Sequence, residues 1–496
     1  MIKIFKHLSW ISFDIAWAGV ILLAPVTSLP LLSILAGGSQ VAPASFIPLC
    51  WLLVFWFVLY IIEKGSLPRE TVPFIVFISV AITASAFGFF INIPSFKGVG
   101  IAREEAKAIL TLLIGASFYF IASSWLLKMP GRLEPTLKMI NVGGGIMLFW
   151  ALCQGTIIYI FQGNYPRFFL QFQALFSNHG FFQTRMVGFA YEPSWLAQGL
   201  NLFYLPFWLA ASSTGYSVFK WRVWKFRVEN FLLVIGVCVL FLSSRVGTLS
   251  FIAILAFLGG YFSFLLAKRL QVRGVKRFIH LSSFKLNMLK MLINISILTG
   301  FVGIFVMSAL FLLNLLSQMD PRLAAFFQVT SLARFKEVTT NIFTLFNYLQ
   351  FGERFVFWVA GWNIFNMYPI LGVGLGNAGF FFPNALPAFG WVLPEITNYL
   401  YIFPFLPNIK SLWIRLLAET GIAGFSTFIT WCYVLLGSGK SLLRSKLPVN
   451  KTVGWFGTFV LIALIFEGFS TDTFALPYFW ISMGILSGVA AYVRCL

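Results

Sequence analysis

The sequence predicts an all-α polytopic membrane protein of about 12 transmembrane helices, built as one integral membrane domain over residues 1–496. Three observations carry this prediction. Of the 496 residues, 59% are hydrophobic and only 10% are charged, a balance no soluble domain has. Apolar runs of about 20 residues, the length that crosses a bilayer as a helix, recur from one end to the other. Lys and Arg gather in short loops that alternate with those runs. The 60 Phe and 17 Trp add a fourth sign, because many stand at run ends, where aromatic rings anchor at the membrane interface.

The predicted spans are roughly 10–35, 46–62, 71–93, 108–127, 139–161, 194–213, 229–243, 246–267, 291–316, 410–437, 453–470 and 476–493. The first is too long for a signal-peptide core and has no convincing small-residue cleavage site, so it reads as a retained helix. With the N-terminus in the cytoplasm, most of the 35 Lys and Arg fall on the inner side, chiefly in Lys220–Arg227 and Lys268–Lys290. Both termini are therefore predicted to be cytoplasmic. The formal net charge of +20 is a topology signal in this distribution and does not point to nucleic acid. The basic loops read as topology determinants and contacts for anionic membrane lipids. The five cysteines lie in or beside apolar runs without CxxC or Cys/His spacing, so no disulfide framework and no metal site is expected.

The outward side then holds the irregular chain. A loop at about 162–193 carries Arg167, His179, Arg185 and Glu192. Ser243-Ser244-Arg245-Val246-Gly247 is a tight turn between two spans. The largest outer segment, about 317–409, lies between the ninth and tenth helices and is far longer than a connector requires. Residues 322–366 read as amphipathic helices on the membrane surface, with Arg334, Lys336, Glu337 and Arg354 among Phe and Trp.

Arg185, Arg245 and Arg354 are thus three arginines on the face that should be poor in cations. Arginine in or beside a bilayer is costly and normally has an anionic partner. A phosphate or diphosphate suits the guanidinium fork. Plainer roles exist for each: an Arg185–Glu192 ion pair behind a helix cap, a snorkelling Arg245 on lipid phosphate, a surface charge at Arg354. Glu192-Pro193 fits a helix start, with Pro193 in the first turn and Glu192 at the positive end. Gly372, Gly374 and Gly376, followed by Asn377, form a glycine-rich turn. It lies outside any βαβ context, so it is no dinucleotide motif; it suits either close backbone approach to a lipid-linked ligand or a flexible connector. Arg415 and Glu419 have the i, i+4 spacing of an intrahelical pair. Lys410 has no sequence-local partner. Asp14, Glu467 and Asp472 stand near or within spans, where acids are functional suspects, and Asp14 and Glu467 keep a solute transporter as an alternative.

Taken in order, Arg185 with Glu192-Pro193, Ser244-Arg245, Arg354 with Trp358, Pro369…Gly372-Val-Gly374-Leu-Gly376-Asn377 and Ala418-Glu419-Thr-Gly421-Ile-Ala-Gly424 resemble the O-antigen ligase/polymerase superfamily. The resemblance covers roughly 140–440. It implies a bacterial plasma-membrane glycosyltransferase of the lipid-phosphosugar, GT-C-like type, with its site facing outward. Its donor and acceptor would be glycans on undecaprenyl diphosphate, with a chain-length regulator as a possible partner. It needs no cofactor and no metal, because the sugar–diphosphate bond supplies the driving force and cations replace the metal. Arg185, Arg245, Arg354 and Lys410 would bind the diphosphate. Gly374, Gly376 and Asn377 would shape the substrate site, Glu192 is the candidate base, and Trp391, Tyr399 and Tyr401 are candidates for stacking on sugars. Ligases of this family carry His-Asn where this chain has Lys410-Ser411. That departure favours a repeat-unit polymerase over a ligase with Lys in place of His.

Overall fold

The computed structural model describes residues 2–35, 40–277, 283–318 and 351–496. Helices follow the apolar runs. The N-terminal part comprises α1 (Ile2–Leu22), α2 (Pro30–Leu35), α3 (Phe46–Leu52), α4 (Val58–Ile62), α5 (Thr71–Gly88), α6 (Ile101–Lys128) and α7 (Leu133–Ile160). Next come α8 (Arg167–Ala174), α9 (Pro193–Gly199), α10 (Leu205–Thr214), a hairpin of β1 (Arg222–Val223) and β2 (Phe226–Arg227), and α11 (Val228–Phe241). The long helices α12 (Arg245–Arg277) and α13 (Ser283–Ser317) lead to the 319–350 stretch, which lies outside the described residues together with Arg334, Lys336, Glu337 and the 322–350 part of the expected surface helices. After it stand α14 (Gly352–Met367), α15 (Ala378–Ala385), α16 (Pro394–Thr397), α17 (Leu412–Leu443), α18 (Pro448–Glu467) and α19 (Pro477–Cys495).

Among the described residues, eight helices are long and apolar enough to cross a membrane, and Trp10–Leu22, Phe46–Ile62 and Val228–Phe241 are shorter apolar helices. Each of the predicted runs contains helix. The one at 194–213 is built from α9, a π-helical turn at Leu200–Tyr204 and α10. The chain is therefore an all-α polytopic membrane protein, with the β1–β2 pair as its one two-stranded sheet among the described residues.

The chain divides into two compact units, Met1–Thr248 with Val356–Leu496, and Leu249–Phe355. In the first unit, α6 and α19 pack closely because glycines remove the intervening side chains. A Cβ at Gly484 would lie 2.5 Å from Ala122 Cβ, and one at Gly488 would lie 2.5 Å from the Ser123 carbonyl oxygen. Tyr119 and Ser487 share a hydroxyl hydrogen bond of 3.0 Å across this seam. Phe74 of α5 stacks on Trp431 of α17 at 4.4 Å, and Trp431 stacks on Trp480 of α19 at 5.7 Å. In the second unit, Gln271 of α12 donates to Asn294 Oδ1 of α13 at 2.6 Å, and Gly259 leaves room for the Phe301 ring.

One expectation changes: the run 10–35 is not one helix. Helix α1 ends at Leu22, and the chain then runs irregularly through Pro25 to Pro30, where prolines remove helical donors. This buried stretch pairs with a second extended segment: Leu29 N–H donates to the Ala42 carbonyl at 2.8 Å, Ala42 N–H to Thr27 at 2.9 Å and Ala44 N–H to Val26 at 2.9 Å. Backbone at such depth must find partners within the protein, and these bonds supply them. The described part of the expected surface helices has one buried face. In α14, Val356, Phe357, Ala360 and Ile364 are all 0% exposed, a helical stripe packed against protein, while Trp362 is exposed.

An ion pair between a buried carboxylate and an exposed arginine ties three helix ends together. Glu70, beside the start of α5 and 1% exposed, accepts both 2.7 and 2.8 Å hydrogen bonds from Arg494 Nη2 and one from the Ser438 hydroxyl. Arg494 stands in the last turn of α19, at the negative end of its dipole. Arg494→Ala leaves this carboxylate without its counterion, a loss of about 1–3 kcal/mol once solvent screening at the exposed arginine is allowed for. The expected outcome is a clearly lower melting temperature of the detergent-purified protein, largely restored in Glu70→Gln/Arg494→Ala.

Candidate functional site

The site is built around an interruption in α17. Gly421 has φ 63° and ψ −167°, a conformation open to glycine alone, so the helix is broken there. The segment 369–376 fills the break. Val373 N–H donates to the Ala418 carbonyl at 3.0 Å and Gly374 N–H to Glu419 at 3.0 Å, while Ile422 N–H reaches Pro369 at 2.8 Å and Ala423 N–H reaches Ile370 at 3.2 Å. Glycine is required on both sides. A Cβ at Gly421 would strike the Ile370 carbonyl, and one at Gly372 (φ 70°) would lie 2.5 Å from the Glu419 backbone carbon.

The other motif residues continue this lock. Gly374 is buried against Ser85, and Gly376 lies against Glu104, leaving no room for a side chain. Leu375 N–H donates to Ser85 Oγ at 3.0 Å. Asn377 is fully buried, donates to the Val373 carbonyl at 3.0 Å and hydrogen-bonds Glu105. Gly376 N–H donates to the Glu419 carboxylate. The glycines touch protein backbone, so any influence of Gly374, Gly376 and Asn377 on a ligand passes through α17.

The first turns of α17 carry the charged side chains that this lock positions. Arg415 Nε donates to Glu419 Oε2 at 2.9 Å, the predicted intrahelical pair, and both side chains are nearly buried. Arg415 Nη1 also donates to the Asp472 carbonyl at 2.5 Å, fixing the loop between α18 and α19. Ser411 and Leu412 both donate to the Gly468 carbonyl, at 3.2 and 2.7 Å. Just before them Lys410 has φ 55°, unusual for a side chain with a Cβ. Its ammonium pairs with Glu395 and lies over the rings of Phe357, at 4.7 Å, and Tyr399, at 5.4 Å.

The arm carrying Glu395 and Tyr399 is held from the opposite direction by Lys97, whose ammonium donates to the carbonyls of Tyr399 (3.0 Å) and Phe403 (2.7 Å). Burial, then the carboxylates of Asp472 and Glu192, raise the Tyr399 phenol above its usual range. Glu192 caps α9, accepts a hydrogen bond from the Ser194 hydroxyl and is followed by Pro193 at the first helical position, as the sequence predicts. Next to it, Tyr191 N–H donates to Thr27 Oγ1 at 3.0 Å, so the irregular stretch after α1 helps to set this loop.

Arg185 begins the same loop, half-buried, with its guanidinium 5.6 Å from the Phe182 ring centroid. The backbone after it is clamped by Gln154 of α7, which accepts from Val187 N–H at 3.0 Å and Gly188 N–H at 2.9 Å and donates to the Gly188 carbonyl at 2.8 Å. Gln173 donates to that carbonyl as well, at 3.2 Å. Arg245 is the first residue of α12. Its turn is tied to the rest by Asn201, in the π-helical turn, which donates to the Gly247 carbonyl at 2.8 Å and to Glu467 Oε1 at 2.6 Å. Since Gly468 holds Ser411, one hydrogen-bonded route links the Arg245 turn to the residue beside Lys410. Arg354 lies in the second unit, half-buried in the first turn of α14.

The structure thus sets Lys410 against Glu395, Phe357 and Tyr399, joins the Arg245 turn to Ser411 through the side chains of Asn201 and Glu467, and puts Arg185 on the Glu192 loop. Glu395, Gln154, Asn201 and Lys97 were not singled out by sequence reasoning. Glu395 carried a signal, being the one acid between Arg354 and Glu419. Among the described residues, no group of three or more His, Cys, Asp or Glu is placed to hold a metal. No protein-family model matches the chain, and no curated protein matches it. Fold and site together define a polytopic helical membrane protein with clustered cations and carboxylates on its interhelical loops.

Gly421→Ala is expected to abolish the monodisperse folded protein on size-exclusion chromatography, because backbone strain adds to the clash with Ile370. For Lys410, a double-mutant cycle with Glu395→Gln and Lys410→Met should give a coupling on the order of 1 kcal/mol in thermal unfolding. A coupling of zero would mean the pair contributes nothing to stability.

Proposed function

We propose that the protein polymerises lipid-linked oligosaccharide repeat units at the outer face of a bacterial plasma membrane. The donor glycan on undecaprenyl diphosphate is transferred to the next lipid-linked repeat. The observation that carries this reading is the position of Arg245 at the first residue of α12. A cation at the positive end of a helix is disfavoured by about 0.3–1 kcal/mol, whereas an anion there is favoured. A diphosphate at this turn would meet both the guanidinium and the N–H groups of Arg245 and Val246, the Gly247 N–H being taken by Ser244 Oγ. Arg185 and Lys410 are the further cations of this proposal, with Lys410 oriented by Glu395 and the two rings.

In the transfer, an acceptor hydroxyl attacks the anomeric carbon of the donor. The bond from that carbon to the diphosphate oxygen breaks, and its electron pair leaves with the lipid diphosphate. The cations stabilise the charge that develops there. Glu192 takes the acceptor proton. Its hydrogen bond from the Ser194 hydroxyl suits a carboxylate held in one orientation. Gly374, Gly376 and Asn377 act as positioning residues through the break in α17. The Lys410–Glu395 pair suits a phosphate contact better than proton abstraction, which favours a polymerase over a ligase that uses a base at this position.

Arg245→Ala should abolish polymer while leaving membrane levels of the protein unchanged, and Arg245→Lys should restore little because bidentate geometry is lost. The readout is the ladder of glycan lengths on a gel. A normal ladder in the alanine variant would rule out the assignment. Loss of a polymerase leaves single repeats, whereas loss of a ligase leaves long chains on the carrier lipid.

A further inference from the structure

The hairpin between α10 and α11 lies apart from this site and has its own chemistry. Its base is firmly built. Gly215 ends α10 in the left-handed conformation, φ 71°. The fully buried Glu229 accepts hydrogen bonds from Ser217 Oγ (2.7 Å), Val218 N–H (3.1 Å) and Asn141 Nδ2 (2.9 Å), closing the two ends of the hairpin onto α7. The Arg227 guanidinium packs over Gly215.

The tip is the opposite. Lys220, Trp221, Arg222, Trp224, Lys225 and Phe226 are all exposed, Trp224 at 86%. Arg222 and Arg227 stand directly across from each other, a like-charge pair that disfavours the hairpin in isolation. Trp224 occupies a turn position with φ 57°, where glycine or asparagine would be less strained. No acidic residue occurs from 213 to 228. Near Tyr216, Glu134 is paired with Lys138 at 3.1 Å, and Glu229 is enclosed below. Local stability thus accounts for neither the tryptophans nor the cations.

Helix length says where this tip lies. Helix α11 has 14 residues, about 21 Å at 1.5 Å per residue, against a hydrocarbon layer of about 30 Å. A short apolar helix draws its flanking residues into the interface. Tryptophan rings with one polar atom settle at headgroup depth, and Lys or Arg there gain about 1 kcal/mol each from an anionic leaflet.

We propose that this hairpin is a binding site for anionic phospholipid headgroups. Lys220, Arg222 and Lys225 would hold the phosphodiester, and Trp221 and Trp224 would lie at the boundary with the acyl chains. Bound lipid phosphate also offsets the Arg222–Arg227 repulsion. The site needs neither the transfer reaction nor the sidedness assigned above.

The test uses the full chain in nanodiscs of phosphatidylcholine containing a minor fraction of brominated lipid, either brominated phosphatidylglycerol or brominated phosphatidylcholine. Tryptophan emission should be quenched more by the brominated phosphatidylglycerol. The excess should vanish in Arg222→Gln/Lys225→Gln and in Trp221→Phe/Trp224→Phe. Native mass spectrometry of the detergent-extracted protein should show retained phosphatidylglycerol that the Arg222→Gln/Lys225→Gln variant loses. These exposed substitutions leave the Glu229 base intact, and matching elution volumes verify the fold. Equal quenching by the two lipids in the parent protein would overturn the proposal. So would unchanged lipid retention in the charge variant, or emission from Trp221 and Trp224 quenched by aqueous iodide, the sign of a tip directed at a soluble partner.

Discussion

A helix broken inside an apolar protein must have its freed peptide groups satisfied by other protein, because hydrocarbon offers them nothing. That constraint governs the region around Gly421. The break in α17 persists because residues 369–374 donate to it and accept from it at four points, and both strands of the exchange depend on glycine. The lock fixes the first turns of α17, and with them Arg415, Glu419 and the approach of Lys410. Through Gly376 it also reaches the Glu419 carboxylate directly. The glycine segment therefore acts as a structural wedge, and the charged residues sit where they do because the wedge fits.

The cations differ in what holds them. Arg415 is enclosed by Glu419 and the Asp472 carbonyl, so its guanidinium is occupied in positioning the loop between α18 and α19. Lys410 is oriented by one carboxylate and two aromatic faces. Arg185 and Arg245 instead begin or follow loops whose backbone is clamped by neutral amides, Gln154 for one and Asn201 for the other. An amide fixes a backbone without adding charge. Such clamps hold the backbone beside each arginine in place through neutral groups.

Much of this fold was legible because hydropathy reports burial in lipid and charge reports the loops. Residues 10–35 show the limit: composition does not distinguish an apolar helix from an apolar extended segment buried in protein, and only Pro25 and Pro30 marked the difference. At the site, local relations were readable and distant ones were not. The Arg415–Glu419 pair follows from helical spacing, as does the cap at Glu192-Pro193. Lys410 meets Glu395 across an irregular stretch where spacing carries no geometry. The partner of the glycine turn lies in α17, beyond two short helices, so the sequence left open whether that turn faced a ligand or served as a connector. The amides Gln154 and Asn201 stood in apolar runs, a sign of buried hydrogen bonding that the more conspicuous arginines obscured.

The shortness of α11 also has an electrical consequence. With the hairpin at one headgroup layer, the Arg245 turn at the other end of this 14-residue helix is about 21 Å away, some 9 Å short of the far edge of the hydrocarbon. An anion reaching Arg245 would cross roughly a third of the membrane thickness and a comparable share of the transmembrane voltage. At about 2.3 kcal/mol per charge for 100 mV across the full layer, that share is about 0.7 kcal/mol per charge. Were a multiply charged ligand to bind at this turn as proposed, its occupancy would depend on membrane potential, and a helix a few residues too short would be the reason.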